Sequence, residues 1–225
     1  MRINKYLAMQ KYCTRREADE MISRGRVMLN GAPAKLGDQV GEDDVVEVTF
    51  RPKKYRYFAY HKPRGIITHS PQGDEESIED IVPIAGVFPI GRLDKDSYGL
   101  IILTDDGRIT DPLLNPKYVH EKEYEVTCRD ALPPNFATQM ERGVDIGDHV
   151  TLPCQVEVRS SRVFAIILTE GKKHQIRRMC EALGQHVVDL KRVRIMNVTL
   201  GRLRAGEYRP IQSGELSILL KSIGM

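Results

Sequence analysis

No stretch of this chain approaches the ~20 consecutive apolar residues that a membrane-spanning helix needs, so a helical membrane protein is not expected. The opening residues, Met1-Arg2-Ile3-Asn4-Lys5, contain neither the apolar core nor the cleavage site of a secretion signal. A cytoplasmic protein is therefore expected. Cysteine is sparse. Cys13, Cys128, Cys154 and Cys180 stand far apart with no Cys-x-x-Cys spacing, which reads as reduced, packed thiols and argues against zinc. The 6 histidines are equally dispersed, so no metal site is expected. Internal repeats and low-complexity segments are absent as well.

What is present is 225 residues, 41% hydrophobic and 29% charged, enough for one sizeable core and a small module. The net charge of +3 is unevenly placed. Residues 1–56 hold 12 Lys and Arg against 8 Asp and Glu, and the remainder is nearly neutral. A basic end on a neutral body points to a polyanion, nucleic acid ahead of a membrane surface.

Residues 1–50 read as a compact unit. Ile3, Tyr6 and Leu7 give a short helical face. Thr14-Arg15-Arg16-Glu17 is a capping box that opens a second helix, with Ala18, Met21 and Ile22 on one face and a stop at Gly25. Val27-Met28-Leu29 runs into Asn30-Gly31, the preferred two-residue hairpin turn. Residues 51–56, basic and with one proline, are the expected linker. The next unit, 57–225, opens with a strand at Tyr57–Tyr60, then a loop from His61 to Gly65 and a second strand at Ile66–Thr68. Further strands are expected near residues 121–127, 155–159, 163–169, 186–190 and 194–200, and helices near Pro134, through Ile176, Met179, Cys180 and Leu183 to a stop at Gly184, and over 213–223.

Two polar stretches stand out. The first, Gly91-Arg92-Leu93-Asp94-Lys95-Asp96-Ser97-Tyr98-Gly99, precedes an apolar strand, Leu100–Leu103. A carboxylate there is pinned to the end of a core strand and still exposed to a ligand. The same residues also fit a surface turn with solvated charges, and spacing alone does not choose. Asp94 with Asp96, Asp105 and Asp106 would make an acidic metal cluster, although turn chemistry accounts for Asp105-Asp106-Gly107. The second stretch, Lys172-Lys173-His174-Gln175-Ile176-Arg177-Arg178, sets basic residues at a helix start, where anions are favoured.

Arg2-Ile3-Asn4-Lys5-Tyr6-Leu7, Arg15-Arg16-Glu17-Ala18 and Gly25-Arg26-Val27-Met28-Leu29-Asn30-Gly31 resemble the S4 RNA-binding module. Gly91-Arg92-Leu93-Asp94 with Gly99-Leu100, then Lys122-Glu123-Tyr124, then Gly171-x-x-His174-Gln175-Ile176-Arg177-Arg178-Met179, are similar to the motifs of the pseudouridine synthases of ribosomal RNA. The resemblance implies an α+β chain. A small N-terminal S4-type domain would precede a catalytic domain with a mixed, largely antiparallel central sheet flanked by helices.

It also implies an isomerase that flips a uridine out of its RNA, detaches uracil from C1′ and rejoins it through C5. In that reading Asp94 is the essential aspartate, Tyr124 stacks on the base, and Arg177 pairs with the catalytic carboxylate. Leu190 packs the last motif, and Arg92 lies beside the flipped nucleotide. Lys122, Arg178, Lys5, Arg15, Arg16 and Arg26 are expected to face RNA. No cofactor or metal is required, because nothing is oxidised and no group leaves the molecule. The expected partner is ribosomal RNA, 23S favoured by Asp94-Lys95-Asp96-Ser97 with transfer RNA as an alternative, and the protein is expected to be a monomer. The competing readings are a non-catalytic RNA-binding protein of the same fold and a metal-dependent nuclease built on the four aspartates.

Overall fold

The computed structural model describes residues 1–49 and 54–225. The boundary expected at residue 50 and the first half of the expected linker, Arg51 to Lys53, lie outside the described residues.

The N-terminal unit folds as the local signals dictate. Helix α1, Ile3–Met9, is followed by α2, Arg15–Ser23, and the Thr14–Glu17 capping box forms in both directions, at 3.1 Å and 2.8 Å. Such a cap contributes about 1 kcal/mol. Strands β1 (Val27–Leu29) and β2 (Ala32–Pro33) form a hairpin, and Asn30 and Gly31 both take positive φ, as a tight two-residue turn requires. Strand β3, Val46–Val48, pairs with β1 on its other side. Ile3, Leu7, Ala18, Ile22 and Val27 close a core belonging to this unit alone.

The second unit runs β4 (Tyr57–Lys62), α3 (Ile78–Ile81), β5 (Phe88–Ile90), β6 (Tyr98–Thr104), α4 (Thr110–Leu114), β7 (Lys122–Cys128), α5 (Phe136–Glu141), β8 (Gln155–Val158) and β9 (Val163–Leu168). It ends with α6 (Gln175–Ala182), β10 (Val187–Ile195), β11 (Val198–Thr199), β12 (Tyr208–Pro210) and α7 (Ser213–Ser222). The sheet order is β12-β4-β6-β10-β7-β9-β8, with β5 beside β6 and β11 beside β10. Among the described residues, only the β6–β10 strand pairing is parallel. A mixed, largely antiparallel sheet is thus what the chain forms.

Three local expectations are corrected. His61 and Lys62 are not loop residues but the buried end of β4. Ile66–Thr68 forms no strand, only a single bridge between Ile67 and Ser77, because Gly65 and the polar run after Thr68 leave it too short to pair. The two closing strands are one continuous strand up to Ile195, bulged between Arg192 and Arg194.

Period-2 alternation divides the sheet into faces. Tyr57, Ala59, Leu100 and Ile102 point to one side, where α7 covers them with Leu219 and Ile223. Tyr60, Ile101 and Leu103 point to the other, with Leu93 and Ile78. A further core on that side holds Val126, Phe164, Ile166, Met179 and Leu190 beneath α5 and α6. Tyr124 touches both of these cores.

Along β6, strand β10 pairs only with Tyr98 and Gly99, and β5 takes over that edge from Ile102. The approach at Gly99 is close: a Cβ there would stand 2.2 Å from Arg192 O, and φ is +110°. Only glycine fits. Gly99→Ala is therefore expected to lower the unfolding free energy by about 2–4 kcal/mol, measured by urea denaturation. A change below 0.5 kcal/mol would mean that the two strands have room to separate.

Candidate active site

A cleft of about 1050 Å³ opens between the two cores on the sheet face that carries Tyr124. Its wall includes Arg92, Asp94, Lys122, Tyr124, Leu190 and Arg192, with His174 at the rim.

The loop that carries Asp94 is held from beneath. Leu93 is buried, and Thr68 Oγ1 both accepts from its amide, at 3.0 Å, and donates to its carbonyl, at 2.8 Å. Lys62 does more. Its side chain is fully buried. Its ammonium, with three protons to give, lies 2.7 Å from Ser97 O, 3.0 Å from Pro63 O and 3.1 Å from Asp94 O. Lys95 O stands at 3.4 Å. Ser97 N then closes a turn on Asp94 O at 3.1 Å, and Gly65 N donates to Lys95 O at 2.9 Å. Burial pushes the Lys62 ammonium down to about 8, while the Asp94 charge pulls it up. The Asp94 carboxylate is left half-exposed in the cleft, with His174 Nε2 3.4 Å from Oδ1.

The cleft brings together Asp94, Tyr124, Leu190, Arg92 and Lys122. Tyr124 is half-buried and Leu190 buried, so together they give the cleft a flat aromatic surface and an apolar one. Lys122 Nζ donates to His120 O at 3.2 Å. Burial, and after it the charge of Arg192, holds its ammonium below the usual lysine range.

Arg177 is a correction. It does not join Asp94: its Nη1 donates to Val187 O at 3.2 Å, and it lies off the cleft wall. The reason is the start of α6. His174 takes a left-handed backbone, φ +53°, just before the helix, so the residue facing Asp94 is the histidine. The segment is fixed there by buried Gln175, which accepts from Lys172 N and donates to Glu170, each at 2.9 Å. Arg178 also misses the cleft. Its Nη2 donates to Ile146 O at 2.5 Å and contacts Asp148. Lys5, Arg15, Arg16 and Arg26 are exposed on the N-terminal unit.

The four aspartates do not meet. Asp105 and Asp106 lie past the far end of β6 from Asp94, where Arg56 and Arg108 bind them. That separation removes the geometry a metal-dependent nuclease would need.

Sequence reading missed Thr68, Arg192 and the placements of Lys62 and His174. Lys62 had a signal, since it continues the Phe58, Tyr60 alternation onto the cleft face.

Residues 56–182 match the RNA pseudouridylate synthase family, and residues 1–46 match the S4 domain. The chain belongs to the RNA pseudouridylate synthase family. It is 43% identical over 99% of its length to the dual-specificity RNA pseudouridine synthase RluF of Escherichia coli (strain K12), covering 79% of that protein. It is 35% identical over 98% of its length to ribosomal small subunit pseudouridine synthase A of Vibrio cholerae serotype O1, covering all of it. A solved structure described as a pseudouridylate synthase superposes with a TM-score of 0.72 at 29% identity, covering 96% of this chain and 98% of that one. The protein is thus an RNA pseudouridine synthase, an isomerase with an S4 domain ahead of its catalytic domain.

Lys62 sets a test. Removing its ammonium frees the loop carbonyls, and a shift of about 1 Å in a reacting group costs on the order of 10²-fold in rate. Lys62→Met is expected to lose about that much in single-turnover rate and to keep RNA affinity within a few-fold. The sign of the pH effect follows from its position. In the folded protein the ammonium titrates near 8, against 10.5 ordinarily. Between those values the unfolded chain binds the extra proton, so this group makes stability rise with pH, while the rate falls as the cage loses a donor. Urea midpoints and a pH–rate profile read both slopes. A wild-type rate that stays flat through pH 8–9 would contradict the cage.

Proposed function

We propose that this enzyme isomerises a specific uridine in ribosomal RNA, that of the large subunit, and does so as a cytoplasmic monomer. The observation that carries the reading is the Asp94 loop, caged by Lys62 and set across a cleft from Tyr124. The resemblance of Asp94-Lys95-Asp96-Ser97 to the large-subunit-directed members of the family favours the large subunit. The name of the Vibrio cholerae relative supports ribosomal RNA as the class of substrate.

In this mechanism the S4 domain and the lysines at the cleft rim, Lys172 and Lys173, grip phosphates, which offsets the few kcal/mol of flipping a base. Exposed Lys5, Arg15, Arg16 and Arg26 supply the first part of that grip, and Arg92 meets the backbone beside the extruded nucleotide. Tyr124 stacks on the base, which is worth roughly 1–3 kcal/mol. Leu190 keeps the base plane dry. Asp94 acts on the ribose side of the C1′–N1 bond. The bond breaks with its electron pair on the base, C5 forms the new bond to C1′, the C5 proton leaves and N1 takes one up. Arg177 enters as a positioning residue that ties α6, and so His174, to β10 through Val187.

Tritium release from C5-labelled uridine tests this directly. Large-subunit, small-subunit and transfer RNA transcripts are compared, with wild type beside Asp94→Asn. Release is expected from large-subunit RNA, insensitive to chelator, and reduced at least about 10³-fold by Asp94→Asn while RNA binding persists. Binding without release on any RNA would leave a non-catalytic RNA-binding protein. Release only from transfer RNA would overturn the substrate.

A further inference from the structure

Arg192 has no part in the reading above, yet it stands at the centre of the site. On β10 its backbone partners are Gly99 of β6 and Tyr124 of β7. It therefore sits between the strand that follows Asp94 and the strand that bears the stacking tyrosine. It is 3% exposed and lines the cleft. Its Nε donates to Leu100 O at 2.7 Å, and Nη1 reaches Arg92 O at 3.3 Å. Its Nη2 is buried and bonds to nothing.

A buried donor without a partner costs free energy comparable to a lost hydrogen bond, more when it is charged. The cost is compounded here. Among the described residues no carboxylate pairs with Arg192. The carboxylates of the cleft wall are otherwise engaged: Glu75 with Lys95 at 2.9 Å, Glu170 with Leu152 N and Gln175, and Asp94 beside His174. The charge of Arg192 instead bears on two more cations, Lys62 and Lys122, and helps hold both ammoniums below the usual lysine range. Ser97 Oγ, on the same wall, is buried and unpartnered too. An unneutralised guanidinium with a spare donor, lining one cleft with Asp94 and Tyr124, fits an acceptor that becomes negative during the reaction.

We propose that Arg192 Nη2 donates a hydrogen bond to a carbonyl oxygen of the bound pyrimidine and stabilises the base as it detaches. This rests on the uridine isomerisation reading. When C1′–N1 breaks, the bonding pair stays with the base and its charge spreads over N1, O2 and O4. A fixed donor at one of those oxygens strengthens as that charge grows, and such preorganised donors are worth about 10²–10³ in rate. The charge is discharged when C5 bonds to C1′, loses its proton and N1 is protonated, so atoms and electrons balance. Guanidinium suits the place better than ammonium. Two of its donors anchor it to Leu100 and Arg92 while a third remains free at a fixed angle.

Arg192 also touches the Asp94 loop through Arg92 O, so loss of rate alone would not separate base recognition from positioning. The test therefore alters the substrate as well. Single-turnover rates are measured for wild type, Arg192→Lys and Arg192→Gln on RNA whose target is uridine, 2-thiouridine or 4-thiouridine. With uridine, both variants are expected to lose about 100-fold in rate and to keep RNA affinity within about threefold. Sulfur is the weaker acceptor, so one of the two thio substitutions slows wild type at least about fivefold more than it slows Arg192→Gln.

Equal thio effects in wild type and variants, at both positions, would overturn the proposal and leave Arg192 a positioning residue. Should the variants fail to fold, nitrogen-15 resonances of the Arg192 guanidinium in the wild type decide. They are expected to shift and gain exchange protection with RNA carrying the target uridine, and not with RNA abasic at that position. Identical changes with both RNAs would overturn the base contact. Tritium release by the wild type, run alongside, reports failure of the isomerase reading separately.

Discussion

Main-chain carbonyls of Pro63, Asp94 and Ser97 converge on one ammonium, that of Lys62, and the arrangement of the active site depends on that convergence. Burying an uncompensated lysine would cost several kcal/mol. Here the charge is met by carbonyl dipoles and by the nearby Asp94 carboxylate, so the same contacts that satisfy the lysine fix the loop. Thr68 fixes the preceding residue in the same way, with one hydroxyl serving both polar groups of Leu93. Gly99, at the other end of the loop, lets β6 and β10 approach closely enough to bring Arg192 and Leu190 to the cleft. The carboxylate is thereby rigid in its backbone and free at its oxygens.

Electrostatics then favour the substrate. Lys122 and Arg192 share the cleft wall with the half-exposed Asp94 carboxylate, Lys62 lies beneath its loop, and Lys172 and Lys173 stand at the rim. Burial holds the ammoniums of Lys62 and Lys122 below the usual lysine range, and the charge of Arg192 adds to the effect. A polyanion lowers the energy of that arrangement, and in the proposed mechanism a base that turns negative on leaving the sugar lowers it further. The N-terminal unit extends the same logic to a surface with its own core and exposed arginines. It meets the second unit where Arg108 donates to Lys11 O at 3.3 Å and where Lys11 contacts the Gly224 carbonyl.

Much of this was legible from the residues alone, because local chemistry governed it. The Thr14–Glu17 box, the Asn30-Gly31 turn and the amphipathic face of α6 rest on neighbours within four positions, and they formed as read. The Asp94 loop was legible as a pinned carboxylate, and its motif as that of a family. What failed was long-range. Lys62 lies 32 positions from the carbonyl it grips, and an exposed lysine is the ordinary expectation for Lys-Pro-Arg-Gly. Arg192 fell in the gap between two strands that are one. The pairing of Asp94 with Arg177 rested on complementary charge and on resemblance, and the left-handed turn at His174 sets a different side chain against the carboxylate.

The central claim, that a buried ammonium organises the catalytic loop, is tested most directly at the nitrogen itself. Nitrogen-15 NMR of the lysine ammoniums, with Lys62 assigned through Lys62→Met, follows its titration in the folded enzyme. The account predicts a Lys62 resonance with slowly exchanging protons that titrates near 8. Titration at the ordinary lysine value of 10.5, with protons exchanging as fast as those of exposed lysines, would contradict it.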